Sequence, residues 1–127
     1  MLRTPLTLRR CMLLPMAGAL ASSVGAQAAE LTFDLKIEHG QVAQNMRLIR
    51  VKQRDVVKLR WGADQSLTLH LHGYDIEQKV AAGAVAEMKF TARATGRFPV
   101  HLHDARERAG SHSHHEPPLV LIEVYPQ

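Results

Sequence analysis

The residues of this 127-residue chain whose type and spacing suit them for chemistry are its histidines. There are eight, and seven of them fall between positions 70 and 115. His70 and His72 stand in LTLHLHGYD, His101 and His103 in GRFPVHLH, and His112, His114 and His115 in DARERAGSHSHHEPP. Neutral imidazole is the commonest protein ligand for transition-metal ions, so the chemistry such a cluster implies is metal binding. In a strand, a His-x-His pair puts both rings on one face, roughly 6.5–7 Å apart, which lets both approach one ion where the strand bends or a loop closes over it. The eighth histidine, His39, precedes Gly40 in a turn signal and reads as a surface residue.

The elements that must position these residues read as strands. Phe98, Val100 and Leu102 alternate with His101 and His103, and Leu67, Leu69 and Leu71 lie opposite His70 and His72. Glu30 to Glu38 alternates strictly, with Leu31, Phe33, Leu35 and Ile37 on one face. Asn45 to Val51 is apolar on both sides and predicts a strand covered on both faces at one end. Val57, Leu59 and Trp61 share a face of the next strand, with Trp61 expected in the core. Leu67 to Ile76 predicts one strand with a bend at Gly73, and Val85 to Ala92 another with Met88 and Phe90 inward. Leu119 to Tyr125 is a nearly continuous apolar strand. No helix-period segment follows residue 28, so the fold class expected is all-β, an antiparallel Greek-key sandwich or barrel.

Residues 1–28 read as a secretory signal. Arg3, Arg9 and Arg10 precede an apolar run from Cys11 to Ala26, and Ala26-Gln27-Ala28 fits a small-residue cleavage site, leaving a domain of residues 29–127. Arg9-Arg10 followed by Met12-Leu13-Leu14 loosely fits a twin-arginine signal, so Sec and Tat export both stay open. The run is short and interrupted by Pro15 and Gly18, which argues against a retained membrane anchor. The expected location is the periplasm, without stable membrane insertion.

Cleavage also changes the charge. Three of the sixteen Lys and Arg leave and none of the twelve acidic residues do, so thirteen against twelve leaves a net +1 in place of +4. No concentrated basic patch remains, and nucleic acid is not an expected partner. The only cysteine, Cys11, leaves with the signal. The mature chain thus has no disulfide and no thiolate ligand or nucleophile.

The order VKQRDVVKLRW, LHLHGYDIE, FTARATGRFPVHLH, a histidine loop and LVLIEVYP resembles the cupredoxin-like domains, particularly the small periplasmic EfeO-type group, over essentially all of Glu30 to Pro126. Its most specific pieces are His-Gly-Tyr-Asp and the Gly-x-Phe-x-Val strand. The resemblance implies a β-sandwich and a copper site at one end of it. His72 matches the first ligand histidine of copper-binding members, Leu102 stands at the cysteine position with His103 beside it, and His112, His114 or His115 matches the loop histidine. No methionine follows Leu102. Without the thiolate a blue copper centre is excluded, and with it ordinary cupredoxin electron transfer.

The ligand set this implies is His72 and His103 with one or two of His112, His114 and His115, while His70 and His101 come next as supporting or alternative ligands. Imidazoles with Asp104 and Glu116 nearby suit Cu(II), Zn(II) or Ni(II), and two imidazoles in line also hold Cu(I). Copper is the expected ion and zinc the alternative. The expected role is copper buffering, resistance or delivery. The alternatives are a metal-free interaction module with an envelope protein partner, or a zinc- or iron-related binding protein. No nucleophile elbow, triad or zinc-hydrolase helix is present, so no enzyme activity is expected.

Overall fold

The computed structural model describes residue 25 and residues 27–103 and 117–127. Most of the expected signal lies outside the described residues. So does the segment with His112, His114, His115, Asp104 and Glu116.

The first strand, β1 (Glu30–Glu38), alternates as its sequence dictates, with Leu35 and Ile37 buried and Leu31 and Phe33 half-buried. His39 and Gly40 both take left-handed φ, 52° and 72°, and turn the chain into β2 (Gln41–Val42), antiparallel to the end of β1. A single 3-10 turn, Gln44–Met46, then carries the chain across to a second sheet as β3 (Leu48–Lys52). Ile49 and Val51 point inward, while Leu48 and Arg50 face out. The expectation of a strand covered on both sides is thus corrected: β3 is an edge strand with one covered face, and it starts later than its sequence suggests.

Asp55 pins the crossing back to the first sheet. It is buried, and its carboxylate accepts from the Lys52 amide (2.9 Å) and from the Ala29 amide (3.1 Å). The turn and the start of β1 are thereby held by one side chain. Then β4 (Val56–Ala63) buries Val57, Leu59, Trp61 and Ala63 on one face.

The remaining strands are β5 (Leu67–Leu71), β6 (Ile76–Val80), β7 (Val85–Thr91), β8 (Gly96–Leu102) and β9 (Val120–Tyr125). Where one strand was expected from Leu67 to Ile76, the chain turns over between His72 and Asp75 and returns as β6, pairing Leu71 with Ile76 and Leu67 with Val80. Gly73 and Asp75 supply the positive φ, 86° and 54°, that this reversal needs.

Four strands form one sheet in the order β2-β1-β4-β7, and five form the other in the order β3-β9-β8-β5-β6. The all-β sandwich is as expected, but both sheets are mixed. β1 runs parallel to β4 and β3 parallel to β9. Parallel neighbours need a crossover, and here the opposite sheet supplies it, since β3 lies in sequence between β1 and β4. Between the sheets lies one core. Trp61, Ile37, Leu59 and Met88 from the first layer meet Leu69, Leu71, Val100 and Ile122 from the second. Among the described residues no helix is long and apolar enough to cross a membrane.

Candidate metal site

Strands β5 and β8 are antiparallel neighbours, with Leu69 opposite Leu102, His70 opposite His101 and Leu71 opposite Val100. Leu69, Leu71 and Val100 are fully buried, so strand parity sends His70 and His101 to the outward face of the sheet. Both are half-buried there. Backbone bonds extend the ladder at each end: the His72 amide donates to Pro99 O (3.0 Å) and the His103 amide to Thr68 O (2.7 Å). Pro99 has no N–H to return the first bond. The ladder therefore stops at His72, and the chain is released into the Gly73 turn.

That turn is held from beneath by aromatic rings. A Cβ on Gly73 would come within 2.5 Å of the Phe98 ring. Phe98 packs edge-on against Tyr74 at 4.8 Å between centroids, and Tyr74 packs against Phe90 at 4.8 Å. Glycine is needed here both for its left-handed backbone and for the space the ring occupies.

Register decides which histidines meet. His72 is level with Pro99 and His103 with Thr68, so the pair the sequence favoured sits four residues apart along the ladder, roughly 13 Å. Two nitrogens on one ion are separated by only about 3–4 Å. The structure gathers His70, His72 and His101 instead. Ring centroids are 4.3 Å apart for His70 and His72, interplanar angle 66°, and 5.0 Å apart for His72 and His101, angle 82°. The residues expected as supporting ligands are thus the ones brought together with His72. His103 stands apart, its Nδ1 3.7 Å from Glu77 Oε1.

Two carboxylates not expected at the site flank it. Asp75 Oδ1 lies 3.4 Å from His70 Nε2, and Glu77 sits directly across β5–β6 from His70. The signal for Asp75 was the His-Gly-Tyr-Asp turn itself, which returns its fourth residue beside the strand it left. His101 has the opposite problem: its Nδ1 is buried with no hydrogen-bond partner among the described residues. Such a group costs about 1–3 kcal/mol when left unmet.

Among the described residues, no three His, Cys, Asp or Glu side chains already converge at metal-binding distance. The donor types present, imidazoles with carboxylates beside them, are those that borderline divalent ions take. The set does not fit a blue copper centre, because the described residues hold no cysteine to supply the thiolate and Met88 is buried in the core. His39 plays no part. It is exposed in its turn near Asp64, whose carboxylate accepts from the His39 amide at 2.9 Å.

No family model and no curated protein matches the chain. Solved structures do. A multicopper oxidase superposes with a TM-score of 0.56 at 22% identity, over 78% of this chain and 40% of that one. The periplasmic domain of subunit II of cytochrome oxidase (CoxB) of Bradyrhizobium japonicum gives 0.57 at 16% identity, over 80% and 88%. A copper binding protein solved in the apo form gives 0.51 at 12%, over 79% and 99%. The fold is cupredoxin-like. Identities this low show the fold alone, and the chain spans about two fifths of the multicopper oxidase.

Proposed function

We propose that this protein is an exported, cysteine-free cupredoxin-like protein of the EfeO-type group that binds copper through histidines in the periplasm and serves copper buffering, resistance or delivery. It carries no catalytic activity of its own in this reading. The observation that carries it is the outward cluster of His70, His72 and His101, in which the buried His101 Nδ1 has no hydrogen-bond partner among the described residues. The cupredoxin-like fold supports it, since structures of this shape include a copper binding protein and multicopper oxidases. His112, His114 and His115 enter through the sequence only, as donors for a remaining coordination position.

The role of these residues is to hold and orient. Bound copper would supply only its Lewis acidity and affinity for nitrogen, and the sandwich keeps the three imidazoles on a rigid ladder. Titration of the processed, untagged protein with Cu(II) and with Zn(II) tests the reading. One tightly held Cu(II) per chain is expected. Its affinity should fall as the pH is lowered, because protons compete with the metal for imidazole nitrogen. Weak, non-stoichiometric binding that survives loss of the clustered histidines overturns it, and leaves a metal-free interaction module as the reading.

A further inference from the structure

We infer that two copies of this chain associate through the outer edge of β1, in a two-fold antiparallel register centred on Phe33 that sets Glu30 of each copy opposite Lys36 of the other. This edge belongs to the four-stranded sheet, away from the histidines, and its use is independent of copper.

Strand β1 is paired along its length on one side only. It runs parallel to β4 from Glu30 to Ile37, and β2 covers its other side at Ile37 and Glu38 alone. After Val42 the chain leaves this sheet for β3, so among the described residues nothing pairs with the outer side from Glu30 to Lys36. Ala29 O accepts from the Val56 amide at 2.8 Å and Ile37 O from the Asp64 amide at 3.2 Å, so the odd-numbered residues aim their backbone groups at β4. Alternation then turns the N–H and C=O of Glu30, Thr32, Asp34 and Lys36 to the open side, a row that templates a further strand. The usual protections are missing, since ELTFDLK holds no proline, no glycine and a single lysine at its end. The other long edges differ. Strands β3 and β6 are five residues each, with Arg50 and Lys52 on one and Glu77 and Lys79 on the other, and β7 has β6 packed alongside it.

Charge selects the partner and the register. An antiparallel neighbour must set even-numbered residues against even-numbered ones, so that N–H meets C=O. Centring the pair on Thr32 opposes Glu30 to Asp34, and centring it on Asp34 opposes that carboxylate to its own copy; both set like charges together. Centring on Phe33 places Glu30 opposite Lys36 and Thr32 opposite Asp34, each twice. Phe33 is also the middle of the open stretch, so this register uses all of it and stops against β2 at both ends, while registers further out pair fewer residues. On the inward side Phe33 meets its own copy and Leu31 meets Leu35, which covers the two apolar side chains of β1 that a single chain leaves half-buried. Glu30 and Lys36 now make exposed pairs with Lys58 (3.4 Å) and Glu38 (2.7 Å), contacts weak enough to be shared with a second copy.

Sedimentation equilibrium of the processed, untagged protein tests this, with a chelator present so that metal bridging is not read as strand pairing. The stretch is short, about 23 Å, and a reversible dimer with a dissociation constant on the order of 10–100 μM is expected. Thr32→Pro removes an outward N–H and leaves the β4 side intact, and it should weaken the dimer by about 10-fold or more. Lys36→Glu should weaken it roughly 10-fold, because a two-fold interface counts the change twice. Glu30→Lys combined with Lys36→Glu should restore association. An unchanged thermal midpoint in dilute solution verifies folding, and where Thr32→Pro does not fold, Lys36→Glu reads the same edge. A dimer indifferent to Thr32→Pro or to Lys36→Glu, or one that the double reversal does not restore, overturns the inference. A chain that stays monomeric throughout overturns it as well and leaves the edge to a strand of another protein.

Discussion

Two polar clusters share the outward face of the five-stranded sheet, and they are satisfied to different degrees. Across β3, β9 and β8, Arg50, Glu123 and Arg97 stand level with one another. The Tyr125 hydroxyl donates to Glu123 Oε2 at 2.6 Å, Arg50 Nε lies 3.3 Å from the same oxygen, and Arg97 Nε lies 3.2 Å from Oε1. Glu123 is buried beneath these partners with both oxygens engaged. At the other end of the face, His70 has one long contact to Asp75, and His101 has a buried nitrogen with no partner among the described residues. A closed network spends its polar groups on its own geometry, whereas one with pairing left over has capacity for a ligand.

The sharpest way to break that contrast is to show that the histidines hold the fold. Leu71 lies between His70 and His72 in sequence and points the other way, fully buried. Leu71→Ala should cost about 2–5 kcal/mol of unfolding free energy through lost contacts and a residual cavity. His70→Gln, one residue away on the outward face, should stay within about 0.5 kcal/mol. Urea unfolding of the two variants measures both. A comparable loss in His70→Gln would make the outward imidazoles structural and remove the ground for calling them a site.

Much of this division between faces was legible in the residues. Strict alternation in β1 and around His70, His72, His101 and His103 gave the inward and outward sides, and the burial of Trp61, Met88 and Phe90 follows the same parity. What alternation does not contain is register, because a strand pair can slide by two residues and keep every side chain on its face. The resemblance placed His72 and His103 in one ligand set, while the ladder sets them four residues apart. Strand β6 was hidden for a related reason. Its inward residues are Ile76, Gln78 and Val80, and the polar middle position breaks the pattern that would mark it. The parallel pairings were not legible either, since they join strands separated by an excursion through the other sheet.

The turn that delivers His72 gives the next test. Gly73 and Gly83 both have left-handed φ, 86° and 73°, but a Cβ at Gly83 would meet nothing within 4 Å while one at Gly73 would strike Phe98. Gly83→Ala should therefore cost only about 1 kcal/mol for the backbone conformation. Gly73→Ala should cost about 1–3 kcal/mol and weaken Cu(II) binding, because relieving the clash moves the turn that carries His72. Thermal unfolding and copper titration of the pair separate strain from displacement. Equal stability losses with unchanged copper affinity would mean the Phe98 wedge does not position His72.

The smallest effect belongs to the closed cluster, and it discriminates between the two ends by pH. The Tyr125 hydrogen bond, helped by Arg50 and Arg97 and opposed by desolvation, holds the Glu123 carboxyl below its ordinary 4.5. A carboxyl whose folded value is lowered stabilises the fold above its unfolded value, and that contribution is lost as pH falls through the lowered one. Tyr125→Phe removes the largest cause, so the folded value should rise toward the ordinary one and the acid-unfolding midpoint should move to higher pH. Copper release is a separate event, set by protons competing with the metal for the imidazole nitrogens. Acid titration of Tyr125→Phe followed by circular dichroism should show the unfolding midpoint shift, and Cu(II) release should stay where it is in the parent. If both curves move together, the two clusters are one coupled network, and the outward imidazoles belong to the fold's own electrostatics.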